Sequence, residues 1–253
     1  MTPAGAVYVW WARLADVRPG LRDLLDDGEL ARMAAYHRRA DADRFLLGVS
    51  VTRLVAARET GVAPQAVAVH RRCETCGRPH GRVCLPRSGL HISVAHSGDL
   101  VGVAVSAEGR VGLDVEISNH RSNALDLARQ ALTDPELAEL AGISEEARAA
   151  GFMRYWVRKE AVLKLSGDGI GKLQTVTVSA PQEPAAVRAW PARPELVDRI
   201  WMHDLAPGTG HLATVAVEGV TQPRLIEADA AEILAQASSR PTSTSPGQAR
   251  PIK

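Results

Sequence analysis

The sequence predicts an α+β fold built from two similar halves, and three observations carry that prediction. Apolar segments with strand character open each half, at residues 7–12 and 109–117. Each opening strand is followed by a long stretch with helical spacing, at 21–60 and then at 123–166. Each half then closes on further strand-like segments, at 66–70, 90–95 and 101–106, and at 173–179, 186–190, 200–205 and 212–217. The halves meet near Arg110, giving an N-terminal subdomain over 1–109 and a C-terminal one over 110–236. No clear sequence repeat relates them.

Val7-Tyr-Val-Trp-Trp-Ala12 is apolar enough to lie centrally in a sheet. Residues 21–36 have helical spacing, and 41–60 form a long helix whose stripe is Leu46, Leu47, Val51, Leu54 and Val55, with Gly61 as its stop signal. Two strands, 90–95 and 101–106, join around Ser97-Gly98-Asp99, with His96 at the junction. In 109–117, Val111, Leu113, Val115 and Ile117 alternate with Gly112, Asp114 and Glu116, the period of a strand with one buried face. Thr133-Asp-Pro135 marks a helix start, with Glu136 suiting the N-terminal dipole. Residues 152–165 contain no proline or glycine and form a helix striped by Phe152, Trp156 and Leu163. Pro207-Gly-Thr-Gly210 is a turn, and 237–253 is a Ser/Thr/Pro-rich tail that cannot form a core and is expected to be disordered.

Composition excludes several function classes. The 253 residues are 45% hydrophobic and 23% charged, with a net charge of +1, so no global polycation points to nucleic acid or membrane. Aromatics are only 4%, which argues against base-stacking platforms. A signal-peptide pattern and an apolar run of membrane-spanning length are both missing, so a cytoplasmic location is expected. Cys73-Glu-Thr-Cys76, with His80 and Cys84 behind it, invites a zinc reading. The irregular second pair and the lack of a second CxxC favour free thiols.

Asp114 and Glu116 stand two residues apart on a strand and so face the same way. Adjacent carboxylates are costly unless a cation or a proton relieves them. Glu160 and Lys164 share a helix face one turn apart. A third carboxylate beside the first two would make a hard-cation site, and Mg²⁺ suits a few carboxylates plus substrate phosphates. The plainer alternatives are an exposed acidic strand and a surface ion pair, and spacing alone leaves both open. Arg32, Arg38, Arg39, Arg44, Arg53 and Arg58 make one region locally basic, and guanidinium forks suit phosphate.

Gly112-Leu-Asp-Val-Glu116, followed some forty residues later by Trp156-Val-Arg-Lys-Glu-Ala-Val-Leu-Lys164, resembles the paired signature of the 4′-phosphopantetheinyl transferases, in their long, single-chain, surfactin-synthetase-activating form. Ser93-Val-Ala-His-Ser97 is similar to the family's histidine motif, Arg44-Phe-Leu-Leu-Gly48 to its N-terminal helix signature, and Gly77-Arg78-Pro79 to its Gly-Lys-Pro segment. The similarity spans roughly 8–217.

The resemblance implies a pseudo-twofold pair of subdomains with the active site in the crevice between them. It implies Mg²⁺-dependent (or Mn²⁺-dependent) transfer of the 4′-phosphopantetheine arm of coenzyme A to a serine of an apo acyl or peptidyl carrier protein, releasing adenosine 3′,5′-bisphosphate. Carriers of polyketide and non-ribosomal peptide assembly are the expected partners, and a monomer suffices. Glu160 and Lys164 are the implied catalytic residues. Asp114, Glu116 and Glu160 are the implied metal ligands, and Arg32, Arg39, Arg44, Arg78, His96 and Lys164 the implied coenzyme A contacts.

Three positions depart from the family pattern: Ala95 for a serine, Glu29 for a basic residue, and Phe45 for a small hydroxyl residue. Two other readings compete. One is a Mg²⁺-dependent nucleotide or coenzyme A hydrolase or binding module with no protein substrate. The other is a zinc-stapled adaptor resting on the cysteines alone. No P-loop is present, which disfavours a common NTPase.

Overall fold

The computed structural model describes residues 5–71, 81–86, 88–118 and 124–238. Its elements are β1 (Ala6–Arg13), α1 (Asp27–Ala34), α2 (Arg39–Thr60), β2 (His70–Arg71), β3 (Val83–Cys84), β4 (His91–Ser97), β5 (Leu100–Ser106) and β6 (Val111–Ile117). They continue with α3 (Ala124–Ala131), α4 (Asp134–Ala141), α5 (Glu145–Ser166), β7 (Thr177–Val178), β8 (Val187–Ala189), β9 (Ile200–Leu205), β10 (His211–Glu218), β11 (Arg224–Asp229) and α6 (Ala231–Ser238). The α+β class expected from the sequence is the class observed.

Six strands form one sheet in the order β11-β1-β5-β4-β3-β2, and three form a second in the order β6-β10-β9. Helix α2 packs on the first sheet and α5 on the second. The sheets face each other across Val7, Val9, Ala95, Leu100 and Ala104 on one side and Val111, Leu113, Val115, Ala213 and Val215 on the other. Side-chain hydroxyls lace this contact together. Ser93 Oγ accepts from Leu113 N at 2.9 Å and Ser97 Oγ from Ile117 N at 3.1 Å. Four residues apart on one strand, the two serines meet backbone donors four residues apart on another.

Both long helices end as the sequence predicts. Gly61 and Gly167 each follow the last turn at positive φ (73° and 85°), a conformation that glycine adopts without strain. Helix α5 extends further than the expected 152–165, beginning at Glu145.

Several expectations are corrected. Residues 66–70 are not a strand: Pro64 opens a single 3-10 turn over Pro64–Ala66, and pairing begins only at His70. The 21–36 segment breaks into a 3-10 stretch, Pro19–Leu24, and α1. Asp26 makes that break, because its Oδ1 accepts from Glu29 N at 2.8 Å while Glu29 Oε2 accepts from Asp26 N at 3.0 Å, a capping box. Within 173–179 only Thr177–Val178 pairs, the preceding residues forming a 3-10 segment, Ile170–Thr175. The strand β6 has two buried faces rather than one, because α5 covers Gly112 and Asp114.

Residues 224–238 carry structure that the sequence reading did not assign, and they rejoin the first half. β11 runs parallel to β1, Ala6 opposite Arg224 through Trp11 opposite Asp229, and α6 packs on α2. In this way the edge of β1 is covered by a strand from the far end of the chain. The residues from 239 onward, Cys73, Cys76 and His80 lie outside the described residues; Cys84 is an exposed free thiol.

Gly112 sets the distance between β6 and α5. A β-carbon there would collide with the Ala161 carbonyl oxygen and lie 2.6 Å from Leu165 N. Neither backbone atom can swing away, so Gly112→Ala must push the helix off the strand. We expect a loss of stability of about 1–3 kcal/mol from overpacking, read by chemical denaturation. A larger fractional loss of turnover should accompany it, because Glu160 and Lys164 ride on the displaced helix.

Candidate active site

Asp114 and Glu116 project from β6 toward α5, and Glu160 and Lys164 come down from α5 to meet them. Lys164 Nζ donates to Asp114 Oδ1 at 2.7 Å. Ser97 Oγ donates to Glu116 Oε2 at 2.8 Å, so the serine that accepts from β6 also holds its second carboxylate. Asp114 is 4% exposed and Glu160 9%, values at which an ionised carboxylate is expensive. Burial pushes the Asp114 carboxyl up to about 6, partly opposed by Lys164. Burial first, and then the charge of Asp114, push Glu160 up to about 7.

Two carboxylate oxygens, Asp114 Oδ2 and Glu160 Oε1, are buried without any hydrogen-bond partner. Orphaned acceptors of this kind, in a charge-coupled acidic group, are what a cation would satisfy. Among the described residues no three His, Cys, Asp or Glu side chains converge as a ready-made metal cage. A hard cation that keeps waters and binds one or two carboxylates plus substrate oxygens needs no such cage. The donor set therefore fits a Mg²⁺-type ion.

The cationic wall comes from the first half. His96 opens to solvent on one side but is walled by the cleft. That partial desolvation, followed by the charges of Lys164 and Arg44, holds its pKa below the usual histidine range. The Lys164 charge of the second half thus bears on His96 of the first. Arg44 Nε donates to the Gly98 carbonyl at 2.6 Å and its Nη1 to Asp41 at 2.6 Å, fixing the turn that follows His96. A small cavity of about 120 Å³ is lined by Arg32, Arg44, Phe45, Arg71, Val94 and His96, among others. A larger one of about 530 Å³ shares Arg32, Phe45 and Arg71 with it and adds Asp26, Glu29 and Val69.

The structure brings together Asp114, Glu116, Glu160 and Lys164, and gathers Arg32, Arg44 and His96 at the adjoining cavities. Arg39 is not gathered with them: its side chain is 83% exposed, pairs with Asp43 at 2.8 Å and lines neither cavity. Arg78 lies outside the described residues. Arg71 was missed by the sequence reading, although a signal existed. Val69 and Arg71, two positions apart, face the same cavity, so the apolar side of an extended segment ends in a cation.

The departures at Glu29 and Phe45 have structural roles. Glu29 accepts from Arg53 Nη2 at 2.8 Å, and Arg53, only 2% exposed, also reaches Asp26 and the Val67 carbonyl. This buried clamp fixes α1 beside the cavities. The Phe45 ring seats the Arg32 guanidinium 5.5 Å from its centroid. Ala95 is buried between the two sheets.

A cleft with buried carboxylates and a lysine on one wall, and a histidine with guanidiniums on the other, has a charge pattern suited to a phosphate-bearing ligand with a cation. Residues 110–204 match the family profile described as the 4′-phosphopantetheinyl transferase superfamily. The 4′-phosphopantetheinyl transferase HetI of Nostoc sp. (strain PCC 7120) is 31% identical over 218 residues, covering 84% of this chain and 88% of that protein. The protein slr0495 of Synechocystis sp. (strain PCC 6803) is 34% identical over 155 residues, 60% of this chain and 61% of its own length. The 4′-phosphopantetheinyl transferase AcpT of Salmonella typhi is 35% identical over 92 residues, 36% and 48% of the respective chains. The chain belongs to the 4′-phosphopantetheinyl transferase superfamily. It is an enzyme of that transferase class, and no helix among the described residues is long and apolar enough to cross a membrane.

Proposed function

We propose that this chain moves the 4′-phosphopantetheine arm of coenzyme A, in a Mg²⁺-dependent reaction, onto a serine of apo acyl and peptidyl carrier proteins of polyketide and non-ribosomal peptide assembly. The observation that carries the reading is the pair of orphaned carboxylate oxygens, Asp114 Oδ2 and Glu160 Oε1, beside Lys164. The serine oxygen attacks the phosphorus that bears the pantetheine arm, and the bond from that phosphorus to the bridging oxygen breaks. Adenosine 3′,5′-bisphosphate leaves. Such transfers depend mainly on positioning and on neutralising charge.

A divalent cation held by Asp114, Glu116 and Glu160 would supply charge neutralisation at the diphosphate. Glu160 is the group proposed to take the serine proton, directly or through a water. Lys164 gives a hydrogen bond to the leaving phosphate, and His96 and Arg44 hold the diphosphate from the opposite wall.

This reading treats 1–109 and 110–236 as pseudo-twofold-related subdomains, with 224–236 crossing back to the first sheet. Support comes from α2 and α5, each 22 residues long, each laid on antiparallel strands and each ended by a left-handed glycine. Both walls of the site belong to one chain, consistent with a monomer acting alone in the cytoplasm.

Product analysis tests the reaction. Adenosine 3′,5′-bisphosphate should form in one-to-one ratio with modified carrier, and not at all when carrier is omitted. Release without carrier would instead establish the hydrolase reading.

A further inference from the structure

His211 opens β10 in the second half, and its side chain is 8% exposed. Its ring Nε2 stands 3.3 Å from the Ser97 carbonyl and 3.7 Å from Asp99 Oδ1, both in the first half. A carbonyl and a carboxylate only accept, so Nε2 carries the hydrogen. Nδ1 is then a bare acceptor, and it is buried with no partner. An apolar side chain here would avoid the cost of that orphaned nitrogen. What the imidazole adds over an apolar residue is its contact across the two halves.

The turn that His211 touches is held by its carbonyls. Ser97 O faces His211, Gly98 O accepts from Arg44 Nε at 2.6 Å, and Asp99 O accepts from Leu14 N at 2.9 Å. Successive carbonyls thus meet donors from β10, from α2 and from the end of β1, and of these only His211 belongs to the second half. The turn is also seated tightly. A β-carbon on Gly98 would lie 2.5 Å from Ile117 Cδ1 and 3.3 Å from His211 Nε2. Ile117 pairs with His211 across β6 and β10 and follows Glu116 in the chain. Ser97 links His211 to the carboxylates, because its hydroxyl donates to Glu116 Oε2 and accepts from Ile117 N while its carbonyl faces the imidazole. A hydroxyl directs a carboxylate only as well as its own backbone is fixed.

We propose that His211 is a positioning residue for Glu116: it holds Ser97 in place, so that the Ser97 hydroxyl presents the carboxylate to the divalent cation. The inference rests on the transfer reading above, in which Glu116 is one of the cation's ligands. Groups behind a metal ligand govern affinity by fixing the ligand's orientation.

The test titrates Mn²⁺ into the full chain saturated with coenzyme A and follows the paramagnetic resonance signal of the free ion. His211→Leu should weaken Mn²⁺ binding about tenfold, the low end of the range for losing a group behind a metal ligand. His211→Gln, whose amide nitrogen reaches about as far as Nε2 and donates, should recover most of that loss. His211→Asn, too short to reach Ser97, gives the same comparison should His211→Leu not fold. Ser97→Ala should cost about as much, and the two changes together little more, because both release the same carboxylate. Equal affinity in parent and variants, a glutamine as weak as the leucine, or losses that multiply in the double variant would overturn the role of His211 and leave the transfer reading standing. A parent that binds no Mn²⁺ under these conditions would overturn the metal-dependent reading itself, and this inference with it.

Discussion

Glu160→Gln is expected to lower carrier modification by about a hundred- to ten-thousandfold, the range over which a positioned general base contributes. The same substitution should make the metal-free protein more stable above neutrality. The sign follows from linkage. The Glu160 carboxyl has its folded-state pKa raised from 4.5 to about 7, so the folded protein binds its proton more tightly than the unfolded chain does. That stabilisation is complete below the unfolded pKa and is lost as pH rises through about 7. Glutamine, a neutral isostere, loses nothing over that interval. In chelator, parent and Glu160→Gln should melt together near pH 4 and separate above pH 7 by up to about 3 kcal/mol in favour of the variant. A variant that is both inactive and less stable at pH 8 would mean that Glu160 is a packing residue.

Lys159→Met is expected to do the opposite. Lys159 and Glu136 are both wholly buried and paired, and the Glu136 carboxylate also accepts from Thr133 N and Val178 N, each at 2.8 Å. One carboxylate therefore caps α4, anchors β7 and neutralises a lysine of α5. Removing only the lysine leaves a buried charge short of its cation, a change that typically costs about 3–5 kcal/mol. Denaturant titration should show that loss, while the folded fraction keeps a near-parental turnover number. Lys164→Met also takes the cation from a buried carboxylate, Asp114, so some stability should be lost with it, but here turnover should fall strongly in the folded fraction. The two lysines lie five residues apart on one helix. If Lys159→Met abolished turnover in fully folded protein, the separation of their roles drawn from burial would be wrong.

The parts of the site on strongly periodic elements were legible in the sequence. Asp114 and Glu116 lie on a strand of strict alternation, and Glu160 and Lys164 on an unbroken helix, so local geometry fixed which way they point. What spacing could not show was that Gly112 lets α5 sit directly on that strand, burying both faces of β6 and bringing the two charged pairs together. Tertiary pairing explains the misses. Val67 and Val69 suggested a strand, but Pro64 directed the chain into a 3-10 turn, and the two valines pack on the core, Val67 buried and Val69 partly so, without strand pairing. β11 escaped notice because its residues are mostly half-exposed, and it exists as a strand through parallel pairing with β1 more than two hundred residues away. Glu29, read from sequence as standing where the family can carry a basic residue, is an internal partner of Arg53, a relation between α1 and α2 that no local pattern reveals.

The account is tested most directly by the intact mass of an apo peptidyl carrier protein incubated with this chain, coenzyme A and Mg²⁺. It predicts a gain of one phosphopantetheine arm that disappears on chelation and is nearly lost with Glu160→Gln. An unmodified carrier, with coenzyme A nevertheless consumed, would contradict it.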